Sequence, residues 1–417
     1  MNLWNETKSI PISKAMIWLA YKRVRANKGS AGVDAISMEQ FDARLSNNLY
    51  KLWNRMTSGS YFLAPVKEVE IPKNDGKVRK LGIPAISDRI GQMVIKMYLE
   101  PRLEQVFSPN SFGYRPNKSA HQALEQVRKN CWKTDWVIDL DIKGFFYNIN
   151  HTKLMLAIEK HVPENWVKLY IKRWLSCPIM TKSGKLISKQ GKGTPQGGVI
   201  SPLLANLFLH YGLDKWLEQT DATVKFTRYA DDVILHCKSQ SHAEQMLGAI
   251  KNRMQNIGLE LHPQKTKIVY CKDYRRREKY HNVKFDFLGY SFQPRTSKSK
   301  KRRGLFLGFD CAISICSRKQ IADKLGEIKV HRMTANSIVG IAKILNPMIR
   351  GWINYYGKFR KSMLHGVFKL LNNRIVRWAR KRYKRYKTSI KRAYTWFFRI
   401  QEQFPTLFYH WKMGYTN

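Results

Sequence analysis

The sequence predicts an α/β region followed by an all-α region, and three observations carry that division. Two alternating runs flank Asn74-Asp75-Gly76; the stretch 134–146, TDWVIDLDIKGFF, reads as a buried strand with carboxylates on one face; and the C-terminal third repeats its apolar residues about every 3.5 positions.

Residues 1 to about 60 carry helical spacing, as in Met16, Leu19, Ala20, Arg23 and Val24, broken at Lys28-Gly29-Ser30-Ala31-Gly32. The segment 66–84, VKEVEIPKNDGKVRKLGIP, alternates on both sides of its Asp-Gly and predicts a β-hairpin with Lys73, Lys77, Arg79 and Lys80 near the tip. From Ile86 to about Arg128 the pattern is helical apart from SPNSFGYRPNKS. In the strand that follows, Val137, Asp139 and Asp141 fall on one face and Ile138, Leu140 and Ile142 on the other. Helices are expected over 151–176 and 200–219, the second introduced by GKGTPQGG. Residues 223–237, TVKFTRYADDVILHC, are two β-rich runs folded at Ala230-Asp231. A helix near 241–257, the strand KTKIVYC and the run FDFLGYSF complete this part. The polar and basic stretch PRTSKSKKRRG, 294–304, is expected to be a domain linker.

Beyond it, Phe368, Leu371, Ile375, Ala379, Tyr383 and Tyr386 form an apolar seam, while Arg374, Arg377, Lys381 and Lys384 recur on another face. That face is either a solvated amphipathic surface or a phosphate-contacting one. Residues 295–417 contain 29 Lys plus Arg against 4 Asp plus Glu, which favours phosphate. The whole chain of 417 residues carries 75 Lys plus Arg against 30 Asp plus Glu, a net charge of +45 that would strain a compact state unless a polyanion neutralised it. With 43% hydrophobic residues it can still bury a core, so the charge sits on a folded object whose expected partner is RNA or DNA. No apolar run approaches the roughly 18 residues of a membrane span, and MNLWNETKSIPISK lacks a signal-peptide layout, so a cytosolic or organellar location is expected. The six cysteines are scattered without a CxxC pair, which predicts neither a zinc module nor disulfides.

Asp231 and Asp232 are adjacent acids in a turn, where short polar side chains ordinarily satisfy local backbone groups. They also repel each other unless a cation sits between them, and Asp141 on a second strand supplies a ligand from another direction, as a two-metal site requires.

In order, IPKNDGKVRKLGIP, DIKGFF, GTPQGGVISPLLANL, RYADD, LHPQKTKIV and FLGYSF resemble the successive blocks of reverse transcriptases encoded by group II introns. NKGSAGVD (27–34) and FGYRPNKSAHQAL (112–124) resemble further blocks of that family, and LNPMIRGWINYYGKF (345–359) its thumb or maturase region. The resemblance covers nearly the whole chain. It implies a right-hand polymerase, α/β in fingers and palm, followed by an all-α thumb/maturase domain. The expected bounds are 1–60 for the N-terminal extension and start of the fingers, 61–294 for fingers and palm, and 295–417 for the RNA-binding helical domain.

By the same resemblance, Asp141, Asp231 and Asp232 are catalytic and hold two Mg²⁺ ions, with Mn²⁺ as a substitute. Lys73 and Arg79 hold the incoming triphosphate, Gln196 packs on the nucleotide, and Lys265 stands near the catalytic centre or serves as a salt-bridge partner. Phe146 occupies the place of a steric gate against a 2′-hydroxyl; the plainer reading is a core aromatic. One departure stands out: where the family continues DIKGFF with Asp, this chain has Tyr147. The implied partners are group II intron RNA, an RNA template with a DNA or RNA primer, dNTPs and target DNA. The implied activity is RNA-directed DNA synthesis with assistance to splicing, in a short form without an endonuclease. Alternatives are a domesticated enzyme of repair or defence, and a non-enzymatic RNA-binding splicing factor.

Overall fold

The computed structural model describes residues 9–72, 78–298 and 304–416. The chain divides into two compact units: one holds the chain up to Ser119 together with Ile138–Lys267, the other Ala120–Val137 together with Ile268 onward.

The first unit opens with helices Lys14–Ala26, Met38–Asp42 and Leu45–Thr57. Their starts are written in the sequence. The Ser13 hydroxyl accepts from Met16 N, and Ser37 with Gln40 forms a reciprocal capping box. Strands β1 (Val66–Pro72) and β2 (Val78–Ile83) pair antiparallel, with Ile71 opposite Arg79. Residues 73–77 between them, Lys73 included, lie outside the described residues. After β3 (Trp136–Asp141) come β4 (Ile179–Met180) and β5 (Leu186–Ile187), and the first sheet has the order β2-β1-β4-β5.

The second sheet is ordered β6-β7-β3-β8, with β6 at Lys225–Tyr229, β7 at Asp232–Cys237 and β8 at Lys267–Tyr270. Of β3 the first unit holds Ile138 onward, and of β8 Lys267. Tyr229 pairs with Asp232, so Ala230 and Asp231 alone make the β6–β7 turn. Ala230 takes φ +58°, a left-handed position that glycine usually fills and that costs alanine about 1 kcal/mol.

Beneath this turn lies a buried charged network. The guanidinium of Arg228, fully buried, donates to both carboxylate oxygens of Asp214 at 2.7 and 2.6 Å. It also donates to Asn206 Oδ1 at 2.9 Å and to the Ala230 carbonyl at 3.1 Å. Asp214 ends a π-helical turn, His210–Asp214, that interrupts the run from Ser201 to Thr220. Asn206 in turn donates to the Gly113 carbonyl at 2.7 Å. A Cβ on Gly113 would stand 2.4 Å from Ala230 N, so only glycine lets the loop approach the turn this closely.

In the second unit, β9 (Phe285–Phe287), β10 (Tyr290–Lys298) and β11 (Leu305–Ile313) form an antiparallel sheet in the order β11-β10-β9. This corrects the reading of 294–304 as a linker and of everything after 295 as helical. Pro294–Lys298 belong to β10, Lys298 pairs with Leu305, and 299–303 lie outside the described residues. Ladder pairing with β11 holds this polar stretch extended although its composition looks like a spacer. Helices Ile315–Ile328, Ile338–Tyr356, His365–Arg382 and Ile390–Gln403 follow, around a core that includes Trp378, Phe368, Phe397 and Phe408.

Removing one member of a buried ion pair strands the other charge in a low-dielectric site. Arg228→Met should therefore cost about 3–5 kcal/mol, read as a lowered midpoint in urea unfolding. A change under 1 kcal/mol would show that the pair does not support the turn.

Candidate active site

Asp141 closes β3, Asp231 is the second turn residue and Asp232 opens β7, the strand next to β3. The Asp141 carbonyl accepts from His262 N at 2.8 Å and its amide donates to Thr266 Oγ1 at 3.4 Å, so the segment after Leu261 fixes the end of the strand. Desolvation, then the charges of Asp231 and Asp141, push the Asp232 carboxyl up to about 7. Asp231 is raised as well, by burial first and by Asp141 among its neighbours, against the lowering effect of Arg79 and Lys265. The three carboxylates thus share one electrostatic site.

Lys265 Nζ lies 3.0 Å from Asp141 Oδ2, a cation already drawn to the acids. Asp139, on the same strand face as Asp141, pairs instead with Lys267 at 3.8 Å. Among the described residues no three His, Cys, Asp or Glu side chains are already closed around a single point. The donor set nonetheless fits a hard divalent cation: carboxylate oxygens only, mutually repelling, with an ammonium standing where positive charge is wanted.

Beside the acids, β2 is tied to the loop 190–198. Arg79 Nε donates to Gln196 Oε1 at 2.8 Å, and Gly82 N donates to the Gln196 carbonyl at 2.7 Å. Gly197 (φ +121°) makes this possible, because a Cβ there would meet Gly82 O at 2.5 Å. The structure therefore brings together Arg79 and Gln196, two of the residues expected to meet a nucleotide, within the electrostatic reach of Asp231. Phe146 is buried at 6% exposure against Phe145, and its carbonyl accepts from Thr194 N at 2.8 Å.

Tyr147 has a definite place. Its hydroxyl donates to the Lys80 carbonyl at 2.5 Å, joining the short helix Phe145–Asn148 to β2. A cavity of about 180 Å³ opens beside it, lined among others by Lys80, Gly82, Tyr147, Lys189 and Gln196. The phenol spans a gap that an aspartate side chain is too short to cross, and it replaces a charge by a neutral donor.

In the second unit, Arg374 is half-buried with Nη2 3.4 Å from the Ala322 carbonyl, while Arg377 and Lys381 are exposed on the same helix. Lys384 departs from the expectation. The helix stops at Arg382, Tyr383 is extended, and Lys384 begins a separate 3₁₀ turn. The apolar seam misled the periodicity because it continues through the break: Tyr383 and Tyr386 both pack on Trp396, with ring centroids 5.8 and 5.9 Å away. Sequence reasoning also missed Arg228, Asp214, Asn206 and Thr266. The available signal was Arg228 itself, a charge in a β-rich run with apolar Phe226 and Ala230 two positions to either side.

Comparison with known proteins adds the following. Residues 71–292 match the family described as reverse transcriptase (RNA-dependent DNA polymerase), and residues 318–396 match the group II intron maturase-specific domain. Protein YkfC of Escherichia coli (strain K12) is 31% identical over 300 residues, covering 61% of this chain and 77% of that protein. Group II intron-encoded protein LtrA of Lactococcus lactis subsp. cremoris is 28% identical over 429 residues, covering 82% of this chain and 68% of its own. The putative COX1/OXI3 intron 1 protein of Saccharomyces cerevisiae is 29% identical over 217 residues, covering 52% of this chain and 26% of its own.

An acid whose folded pKa stands above its unfolded value binds an extra proton when folded, so its ionisation costs stability as pH rises through the interval between the two. For Asp232 that interval runs from 3.8 to about 7. With divalent cations chelated, Asp232→Asn should raise the thermal unfolding midpoint at pH 8 and leave it unchanged near pH 4. The gain should be about 1 kcal/mol, well under the full shift, because the side chain reaches solvent. An equal effect at both pH values would remove the repulsion from the account.

Proposed function

Because the chain belongs to the reverse transcriptase family and carries a group II intron maturase-specific domain, we propose that it copies RNA into DNA at Asp141, Asp231 and Asp232 and binds intron RNA through its basic C-terminal helices. The observation that carries the reading is the meeting of three mutually repelling carboxylates at the ends of two neighbouring central strands, with Arg79, Gln196 and Lys265 around them.

Two Mg²⁺ ions, or Mn²⁺ in their place, would be held by the three carboxylates and would activate the primer 3′-hydroxyl and stabilise the departing pyrophosphate. The chain's own groups do the positioning. Arg79, held by Gln196, offers a guanidinium fork to the triphosphate oxygens of a dNTP, as Lys73 would from the hairpin. Lys265 moderates the charge on Asp141 and can release it when a stronger cation arrives. The Phe146 ring, supported by Phe145, is the proposed barrier to a 2′-hydroxyl. Tyr147 pins β2 and so sets where Arg79 stands, taking over by hydrogen bonding a position at which the family has an acid.

The family resemblance and the cationic charge of the second unit support intron RNA as a partner, with primer–template and target DNA as further polyanions that the chain would bind. Primer extension on an RNA template with Mg²⁺ should be abolished, by at least about a thousandfold, in Asp231→Ala. Retention of wild-type extension in that variant would overturn the site. In the same assay Tyr147→Phe should raise KM for dNTP about fivefold, the equivalent of one hydrogen bond of about 1 kcal/mol, with kcat within twofold. An unchanged KM would reduce Tyr147 to a packing residue.

A further inference from the structure

The second unit contains a cavity of about 380 Å³ lined, among the described residues, by His331, Arg377, Arg380, Lys381 and Lys387. Arg380 and Lys381 come from the last turn of helix His365–Arg382 and Arg377 from the turn before it, His331 sits in the 3₁₀ turn Val330–Arg332, and Lys387 follows the 3₁₀ turn Lys384–Tyr386. None of the five has a carboxylate partner among the described residues. The nearby charges that act on His331 are all positive: burial, then Lys381, Arg332, Arg374 and Arg377, hold its imidazole below the ordinary range. Arg380 is anchored by one end, Nη2 donating to the Lys387 carbonyl at 3.0 Å, while its Nε is buried without a hydrogen-bond partner among the described residues.

Four cations around one hollow repel one another, and a buried guanidinium N–H without an acceptor is unfavourable, so the arrangement favours an anion among them. Arg377, Lys381 and Lys387 are exposed, while Arg380 and His331 are half-buried. The elements that carry them are held side by side, because Trp378 Nε1 donates to the Met333 carbonyl at 2.9 Å and so ties the His331 turn to the helix. The lining side chains are all basic or imidazole, which suits an anion with several acceptor oxygens rather than an apolar group, and in a chain read as binding RNA that anion is a phosphate.

We propose that this cavity is a phosphate-binding pocket, in which Arg377, Arg380, Lys381, Lys387 and His331 enclose a single phosphate group of a bound polynucleotide. The inference rests on the proposal that the second unit binds RNA and deepens it, replacing a generally basic face by a discrete site. Lys384, exposed on the intervening 3₁₀ turn, does not line the cavity. That makes it a control for overall charge.

The test uses the full chain with a 20-nucleotide RNA bearing a 5′-hydroxyl, followed by fluorescence anisotropy across a salt series. The double substitution Arg377→Gln, Lys381→Gln should lower the slope of log affinity against log salt by about 0.7, the value for the loss of one phosphate contact on a single strand. Lys384→Gln should leave the slope within error. Thermal unfolding with pyrophosphate in chelator forms the second arm. Stabilisation of the wild type but not of the double variant means that a free phosphate suffices to fill the pocket; a difference seen with RNA alone assigns it to the polynucleotide backbone. The proposal is overturned if Lys384→Gln acts as strongly as the double substitution, or if neither probe separates the double variant from wild type. Loss of RNA binding by the unsubstituted chain would instead sink the RNA-binding reading on which the pocket rests.

Discussion

A guanidinium clamped between the two oxygens of Asp214 underlies the acidic turn, and the geometry of the candidate centre depends on it. Arg228 belongs to β6, Asp214 to a π-helical turn, and the Ala230 carbonyl to the turn itself, so a single side chain fixes strand, helix and turn together. A π turn shifts the helix register, and such turns collect at functional sites. Here it sets a carboxylate where Arg228 can receive it bidentately. Asn206 and Gly113 extend the same frame to the loop that crosses the turn. Carboxylates that repel one another need such a frame. On a yielding scaffold, Asp231 and Asp232 would relax apart and lose the crowding that makes them attractive to a cation.

The parts of this site that are legible in the sequence are those with a local signature. The β3 alternation, the β6–β7 hairpin and the hairpin around Asp75-Gly76 follow from period-two patterning and turn chemistry, which act within a few residues. The contacts that organise them do not. Arg228 meets Asp214 across 14 positions, and Arg79 meets Gln196 across 117, and neither pairing has a periodic trace. Two readings failed where composition and packing disagree. The stretch 294–304 is polar enough for a spacer, yet Pro294–Lys298 lie in a ladder with β11. The seam through Tyr386 has helical spacing, yet Tyr383 leaves the helix while its ring stays in the same aromatic cluster.

The two units solve opposite electrostatic problems. In the first, like negative charges are gathered where the neighbouring strands β3 and β7 end and begin, and are partly relieved by Lys265. In the second, long cationic side chains stand around an apolar interior of Trp378, Phe368, Phe397 and Phe408. Burial of that interior offsets the self-repulsion of the surface, since aromatic side chains contribute the largest apolar areas available. Its few buried polar groups are drawn into the core: Asn372 Oδ1 accepts from both His410 Nε2 at 2.8 Å and Trp411 Nε1 at 3.0 Å, fastening the last helical turn.

The bond from Tyr147 ends on a main-chain oxygen, and this has an evolutionary consequence. Every amino acid presents a carbonyl, so position 80 is free to drift without loosening the latch, whereas a salt bridge in its place would have bound two positions to change in concert. With a phenol there, the charges carried by the β2 edge can change through single independent substitutions.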